Sequence, residues 1–202
     1  MNPVNTPAVR TFIAIDLPSN IRKDITLIQQ NLRPHFSRAI VSWVRPENIH
    51  LTLKFLGNVL MTDIPKIITA CEFVKKDRAF ELQLNGIGFF PGLHKPKVLW
   101  CGYESSAVLS EVQNQIETAL IPMGFVAENK PFVAHLTLAR IKEISSNPAA
   151  PCYVDMASVQ EYFKKTPVSI LHPVRSIKLI KSRLSSKGSE YTVLHEWKLK
   201  SD

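Results

Sequence analysis

The sequence predicts an α+β fold: bilobal, with two pseudo-symmetric lobes of mostly antiparallel sheet, helices on the outside and a cleft between them. Three observations lead there. Apolar residues recur at strand-like and helix-like spacing in interleaved segments of the 202-residue chain. Many strand-to-strand links are too short for a parallel crossover, which needs a dozen or more residues. The tetrapeptide His-Leu-Thr-Leu occurs twice, at His50–Leu53 and His135–Leu138, each copy preceded by a strand and a helix.

Val9 to Leu17 reads as the first strand, with Phe12, Ala14 and Asp16 opposing Ile13, Ile15 and Leu17. Ser19 is placed to cap a helix to about Leu32, in which Ile21, Ile25, Ile28 and Leu32 share a face, and Pro34 ends it. A short strand over Ile40–Val44 and a turn at Arg45–Asn48 lead into the first motif strand, which Gly57 closes. Thr62 is placed to cap a second helix to about Lys76, with Ile64, Ile67, Ile68, Cys71 and Val74 inward. Strands follow over Phe80–Phe89 and Lys97–Tyr103. A third helix from Ser106 to Met123 is buried through Val108, Leu109, Val112, Ile116, Ala119 and Leu120, with Gly124 at its C-terminal cap. Beyond the second motif strand come a loop from Ser145 to Pro151, a helix over Met156–Lys165 and a hairpin of Val174–Leu184 with Glu190–Leu199. Residues 1–8 read as a flexible N-terminal tail and residues 9–202 as a single bilobal domain.

An apolar fraction of 45% and a charged fraction of 21% belong to a globular chain rather than a disordered one. A formal net charge of +8 favours anionic partners. Nine Lys and Arg against two Glu fall between Lys164 and Lys200, which fits either a solvated basic surface or an RNA-backbone footprint. Cys71, Cys101 and Cys152 are too few and too scattered for a disulfide framework or zinc knuckle, which suits a reducing cytoplasm. No apolar run approaches the roughly 18 residues of a membrane span, and the first residues do not resemble a signal peptide. The expectation is a cytoplasmic monomer with no membrane partner.

Side chains alternate along a strand, so the His and Thr of each motif share one face, about 7 Å apart, while the Leu residues point into a core. Metal binding is one use for two histidines, but neither motif carries Cys, Asp or Glu at ligand spacing on its own strand, so no metal and no cofactor are expected. Nucleophilic attack by Thr52 or Thr137 fails on aim, since a same-face neighbour two residues away is poorly set for its own His to deprotonate. Opening a cyclic phosphodiester fits better. Water must lose a proton as it attacks phosphorus, and the leaving oxygen must gain one on the opposite side. Two imidazoles facing each other across a cleft meet that demand, and hydroxyls beside them can donate to the non-bridging oxygens.

Arg45-Pro46-Glu47-Asn48-Ile49-His50-Leu51-Thr52-Leu53-Lys54-Phe55-Leu56-Gly57 and Pro131-Phe132-Val133-Ala134-His135-Leu136-Thr137-Leu138-Ala139-Arg140 resemble the two signature segments of the two-histidine (2H) phosphoesterases. More narrowly, they resemble those of the bacterial RNA 2′,3′-cyclic phosphodiesterases, also called 2′-5′ RNA ligases. Phe12–Pro18, Lys97–Trp100 and Tyr191–Leu194 are similar to the same family. The resemblance implies metal-independent, ATP-independent opening of a terminal RNA 2′,3′-cyclic phosphate to a 2′-phosphate, with reversible 2′-5′ ligation. It implies His50 as proton donor, His135 as proton acceptor, and Thr52 and Thr137 as phosphate-holding residues. Arg140 and Phe55 match positions of phosphate and nucleoside contact. The implied partner is RNA with a 2′,3′-cyclic phosphate end or a small cyclic nucleotide. The alternative is a module of the same fold that binds RNA or nucleotide ends without turnover.

Strict alternation turns Arg140 and Phe55 away from the motif histidines, so each reaches the cleft only if its strand bulges. Lys54 shares the face of His50 by the same count. Trp43 and Trp100 read as core, His94 and Lys95 as residues flanking the cleft, and His35, His172 and His195 as structural or exposed.

Overall fold

The computed structural model describes residues 7–36, 41–142, 156–165, 168–186 and 188–201. Their strands are β1 (Ala8–Asp16), β2 (Val41–Trp43), β3 (His50–Leu60), β4 (Phe80–Phe90), β5 (Val98–Tyr103), β6 (His135–Ile141), β7 (Ser169–Val174), β8 (Ser176–Ser185) and β9 (Gly188–Lys198). The helices are α1 (Ser19–Leu32), α2 (Ile64–Ala70), α3 (Ala107–Leu120) and α4 (Met156–Lys165).

The strands run in the order β7-β4-β5-β6-β3-β1-β8-β9, with β2 also paired to β6, and every pairing between them is antiparallel. The fold is therefore α+β and antiparallel, as the sequence predicts. Read outward from the middle, β6 and β3 are counterparts, then β5 and β1, each of the latter followed in the chain by a long helix. The two halves join through the register pair Leu51–Leu136, the central leucines of the repeated tetrapeptides. Ile13 and Ile15 of β1, Leu51 and Leu53, Leu136 and Leu138, Ile21, Ile25 and Leu32 of α1, and Ile116 and Leu120 of α3 share one buried core. The repeat thus builds the core with its Leu pair and leaves its His-Thr pair on the opposite face.

Several boundaries differ from expectation for local reasons. Ser19 is the first helical residue rather than the cap, because Pro18 takes the cap position in extended geometry. Asp63 rather than Thr62 takes the cap position of α2, which starts at Ile64 and stops at Ala70; Glu72–Lys76, within the expected remainder, is a 3-10 turn. Val108 is exposed, one step out of phase with the buried Leu109, Val112 and Ile116, while Ser106 Oγ caps the helix at Leu109 N. Strand β3 does not close at Gly57 but runs to Leu60; at φ +71° Gly57 instead accommodates a bulge. The chain also forms β7, which the expected terminal hairpin had not included. Residues 1–6, Cys152 and the Ser145–Pro151 loop lie outside the described residues, whereas Ala8 already belongs to β1.

Cys71 and Cys101 are buried free thiols, and burial pushes both up to about 12. The Trp100 ring lies over Gly88 of the neighbouring strand, where an added Cβ would overlap the indole. Gly88→Ala must displace that ring and is expected to cost about 1–3 kcal/mol. A drop in denaturation midpoint at unchanged m-value checks this.

Candidate active site

Strands β3 and β6 lie side by side at the centre of the sheet, and each begins with its motif histidine. From the antiparallel pair Leu51–Leu136, one step in opposite directions sets His50 beside Thr137 and Thr52 beside His135. A cleft of about 650 Å³ is lined by His50, Thr52 and Phe55 from β3 and by His135, Thr137 and Arg140 from β6. All six residues singled out in the sequence meet there.

Arg140 and Phe55 arrive through two matching irregularities. On β3, Ile13 pairs with Lys54 but Ala14 pairs with Thr52, so Leu53 is an extra residue. On β6, Leu99 pairs with Ala139 but Trp100 pairs with Thr137, so Leu138 is extra. Each bulge follows immediately on the motif Thr and reverses the phase of the strand beyond it. Phe55 and Arg140 therefore join the histidine face, while Lys54 and Ala139 turn inward and are buried. The expectation that Lys54 shares the face of His50 is corrected accordingly.

Both imidazoles are held alike. His50 Nδ1 lies 2.7 Å from the carbonyl oxygen of Asn48, and His135 Nδ1 lies 2.7 Å from that of Val133. A carbonyl only accepts, so Nδ1 donates in both rings and Nε2 is the nitrogen left for chemistry. As a neutral ring each Nε2 accepts a proton; as an imidazolium it donates one. Aromatic rings fix the planes. Phe12 stacks on His50 at 4.6 Å and Tyr191 meets it edge-on at 5.3 Å, while Phe90 meets His135 edge-on at 4.9 Å.

Burial pushes both histidines below their ordinary range, and the two hydrogen-bonded carbonyls only partly offset this. The Arg140 charge lowers both rings further, and His135 also lowers His50. The Asp16 carboxylate acts on His50 in the other direction. Burial would raise the Asp16 carboxyl, but hydrogen bonds from Arg22 and Lys178 outweigh it and hold the group below its usual range. Arg10 and Arg45 also line the cleft, and no Asp or Glu does so among the described residues. Such a lining attracts anions.

Other sequence readings are revised. Trp43 is not simply core: it lines the cleft, with the Arg33 guanidinium 4.9 Å above its ring. Trp100 is half-buried, with Phe90 at 5.1 Å and His135 at 6.5 Å. His94 and Lys95 are not among the cleft-lining residues. His172 is fully buried, between Tyr103 Oη at 2.7 Å and the Asp16 carbonyl at 3.2 Å. In β8 the cleft takes Ser182 and Leu184, so Lys181 and Arg183 alternate onto the other face. No described Lys or Arg of the basic C-terminal run lines the cleft.

Phe12, Tyr191, Arg10, Arg45 and the Asn48 and Val133 carbonyls were missed as parts of the site. A signal existed for Phe12, an aromatic on the strand face opposite Ile13 and Ile15. The carbonyls had none. Among the described residues, no group of three or more His, Cys, Asp or Glu is placed to hold a metal ion. No helix among them is long and apolar enough to cross a membrane.

Paired imidazoles each held through Nδ1, paired hydroxyls and an arginine-lined cleft with no Asp or Glu among its described lining residues make up equipment suited to a phosphate ester. The chain belongs to the LigT-like phosphoesterase family, whose model matches residues 15–100 and 103–190. It is 34% identical to the RNA 2′,3′-cyclic phosphodiesterase of Methanothermobacter thermautotrophicus over 66% of this chain and 72% of that one. It is 32% identical to the protein of the same name from Thermotoga maritima, over 93% and 94% of the two chains. A crystal structure of a Thermus thermophilus protein superposes with a TM-score of 0.77 at 25% identity, covering 96% of this chain and 99% of the other. That of E. coli LigT complexed with 3′-AMP gives 0.74 at 26% identity, with the same coverage.

Proposed function

We propose that this phosphoesterase opens the 2′,3′-cyclic phosphate at the end of an RNA to a 2′-phosphate, without metal or ATP, using two histidines. The observation that carries the reading is the pair of imidazoles on neighbouring strands, both anchored through Nδ1 and both lining one cationic cleft. The names of the relatives, and the nucleotide bound by E. coli LigT, support the substrate class.

In this reading Thr52 and Thr137 donate hydrogen bonds to the non-bridging oxygens, and Arg140 balances their charge. Water attacks phosphorus as His135 Nε2 takes its proton. The bond from phosphorus to the 3′ oxygen breaks, and His50 Nε2 delivers a proton to that oxygen. The field of Asp16 supports His50 as donor, since it favours the imidazolium there, and no carboxylate among the described residues acts comparably on His135. With the 5′-hydroxyl of a second RNA in place of water, the same transfers join RNA ends through a 2′-5′ linkage, and run backwards they cleave that linkage to a cyclic phosphate. Phe55, 55% exposed at the cleft, offers a face for the terminal base.

The deciding experiment is product analysis of a 2′,3′-cyclic-phosphate oligonucleotide incubated with chelator. A 2′-phosphate is the expected product. A 3′-phosphate, a requirement for added metal, or tight RNA binding with no hydrolysis would each overturn the assignment.

The histidine shifts also predict a pH profile. One ring must be charged and the other neutral, and both are depressed below 6.5, so kcat/KM should be bell-shaped with its maximum on the acidic side of 6.5. The bound phosphodiester anion favours imidazolium, so the kcat profile should lie at higher pH. Coincident profiles would contradict this account.

A further inference from the structure

The two bulges decide which side chains line the cleft. Without the extra Leu138, Ala139 would face it and Arg140 would point inward; without Leu53, Lys54 and Phe55 would exchange places. A bulge interrupts the ladder, so something behind the sheet must favour this register over the regular one.

Behind β6 that contact is Gln29 of α1, a side chain only 2% exposed. Its amide donates to the carbonyl of the extra residue Leu138 at 2.9 Å and to that of Val44 at 2.8 Å. Behind β3 it is Glu117 of α3. Lys54, also 2% exposed, is turned inward by the bulge, and its ammonium reaches Glu117 Oε2 at 2.5 Å and the Val126 carbonyl at 3.0 Å. Gln113 donates to the other Glu117 oxygen at 3.2 Å.

The contacts cross between the halves. Helix α1 follows β1 yet grips β6, and α3 follows β5 yet grips β3. Though built from different side chains, they occupy corresponding places in the two halves. A buried amide with two carbonyl partners and a buried ammonium with one carboxylate are specific to one register, because slippage would leave each unsatisfied.

We propose that Gln29 and Glu117 are positioning residues that hold the motif-strand bulges in the phase that turns Arg140 and Phe55 into the cleft. The proposal rests on the reading of Arg140 and Phe55 as substrate contacts. Gln29 acts through Arg140, and Glu117, by neutralising Lys54, acts through Phe55. Neither touches substrate.

A double-mutant cycle tests it. Gln29→Met is expected to lower kcat/KM for a 2′,3′-cyclic-phosphate oligonucleotide by about tenfold or more, as small misplacements at a site can. In an Arg140→Ala background the same change should cost almost nothing further. Independent multiplication of the two losses would overturn the proposal, since a general loss of stability would act in either background. The same cycle read as affinity for inorganic phosphate needs no turnover. It therefore separates failure of this inference from failure of the proposed reaction, which would show as a wild-type protein that binds phosphate without hydrolysing. If Gln29→Met does not fold, the other half decides. Glu117→Leu should raise KM for the oligonucleotide, and adding Lys54→Met should restore it, because an apolar residue at 54 still prefers the inward phase. Loss of activity that Lys54→Met leaves unrepaired would count against the inference.

Discussion

Replacing His50 or His135 by Ala is expected to lower kcat for a cyclic-phosphate RNA end by about 10²–10⁴-fold. Each ring offers one Nε2 to the cleft and is held by a carbonyl 2.7 Å from Nδ1, so truncation removes the proposed proton-transfer group and leaves its strand in place. Both residues are half-buried at strand starts, away from the leucine core, so cooperative unfolding should be little changed. In the proposed mechanism the rings serve one step, so the double variant should fall well short of the product of the single losses. The roles can also be separated. A phosphodiester whose leaving group is already acidic needs no protonation, so it should recover much of the loss in His50→Ala and little in His135→Ala. Wild-type turnover in both single variants would end the two-histidine mechanism, and the opposite recovery pattern would exchange donor and acceptor.

Thr52→Ala and Thr137→Ala should each reduce kcat by up to about 10²–10³-fold, the cost of losing a donor to charge that develops at the transition state. A β-branched residue on a strand has few χ1 options, so each hydroxyl is aimed by its backbone before substrate arrives. The Leu51–Leu136 pair sets each Thr beside the other strand's His. The loss should therefore fall on kcat more than on KM, and Thr→Ser should retain most of the activity that Thr→Val removes. Equal activity of the Ser and Val variants would show that shape, rather than the hydroxyl, is what these positions supply.

The tetrapeptides made the proposed catalytic pair legible because alternation is a local property. Leu51, Leu53, Leu136 and Leu138 had to face a core, which left His50, Thr52, His135 and Thr137 together on the other side. Phe55 and Arg140 lay beyond such an argument. Nothing in Leu53 or Leu138 signals an extra residue, and the register that creates it depends on Gln29 and Glu117, far away in sequence. Lys54 illustrates the same limit, since a lysine on a regular strand belongs in water until a distant carboxylate makes burial tolerable. The helices were readable wherever the isoleucines of α1 or the leucines of α3 kept their period. They misled at their ends, where Pro18 and Asp63 displaced the expected caps.

A cleft lined by Arg10, Arg45 and Arg140, with no Asp or Glu in its lining among the described residues, suits small oxyanions as well as the proposed RNA end. Buffer components such as phosphate and sulfate should therefore behave as competitive inhibitors. Encounter with RNA should slow as ionic strength rises, because screening shortens the reach of the arginines to about 10 Å at 0.1 M salt. Turnover measured in phosphate-buffered saline would then understate the protein's capacity, and a chloride series in a zwitterionic buffer would give the truer rate.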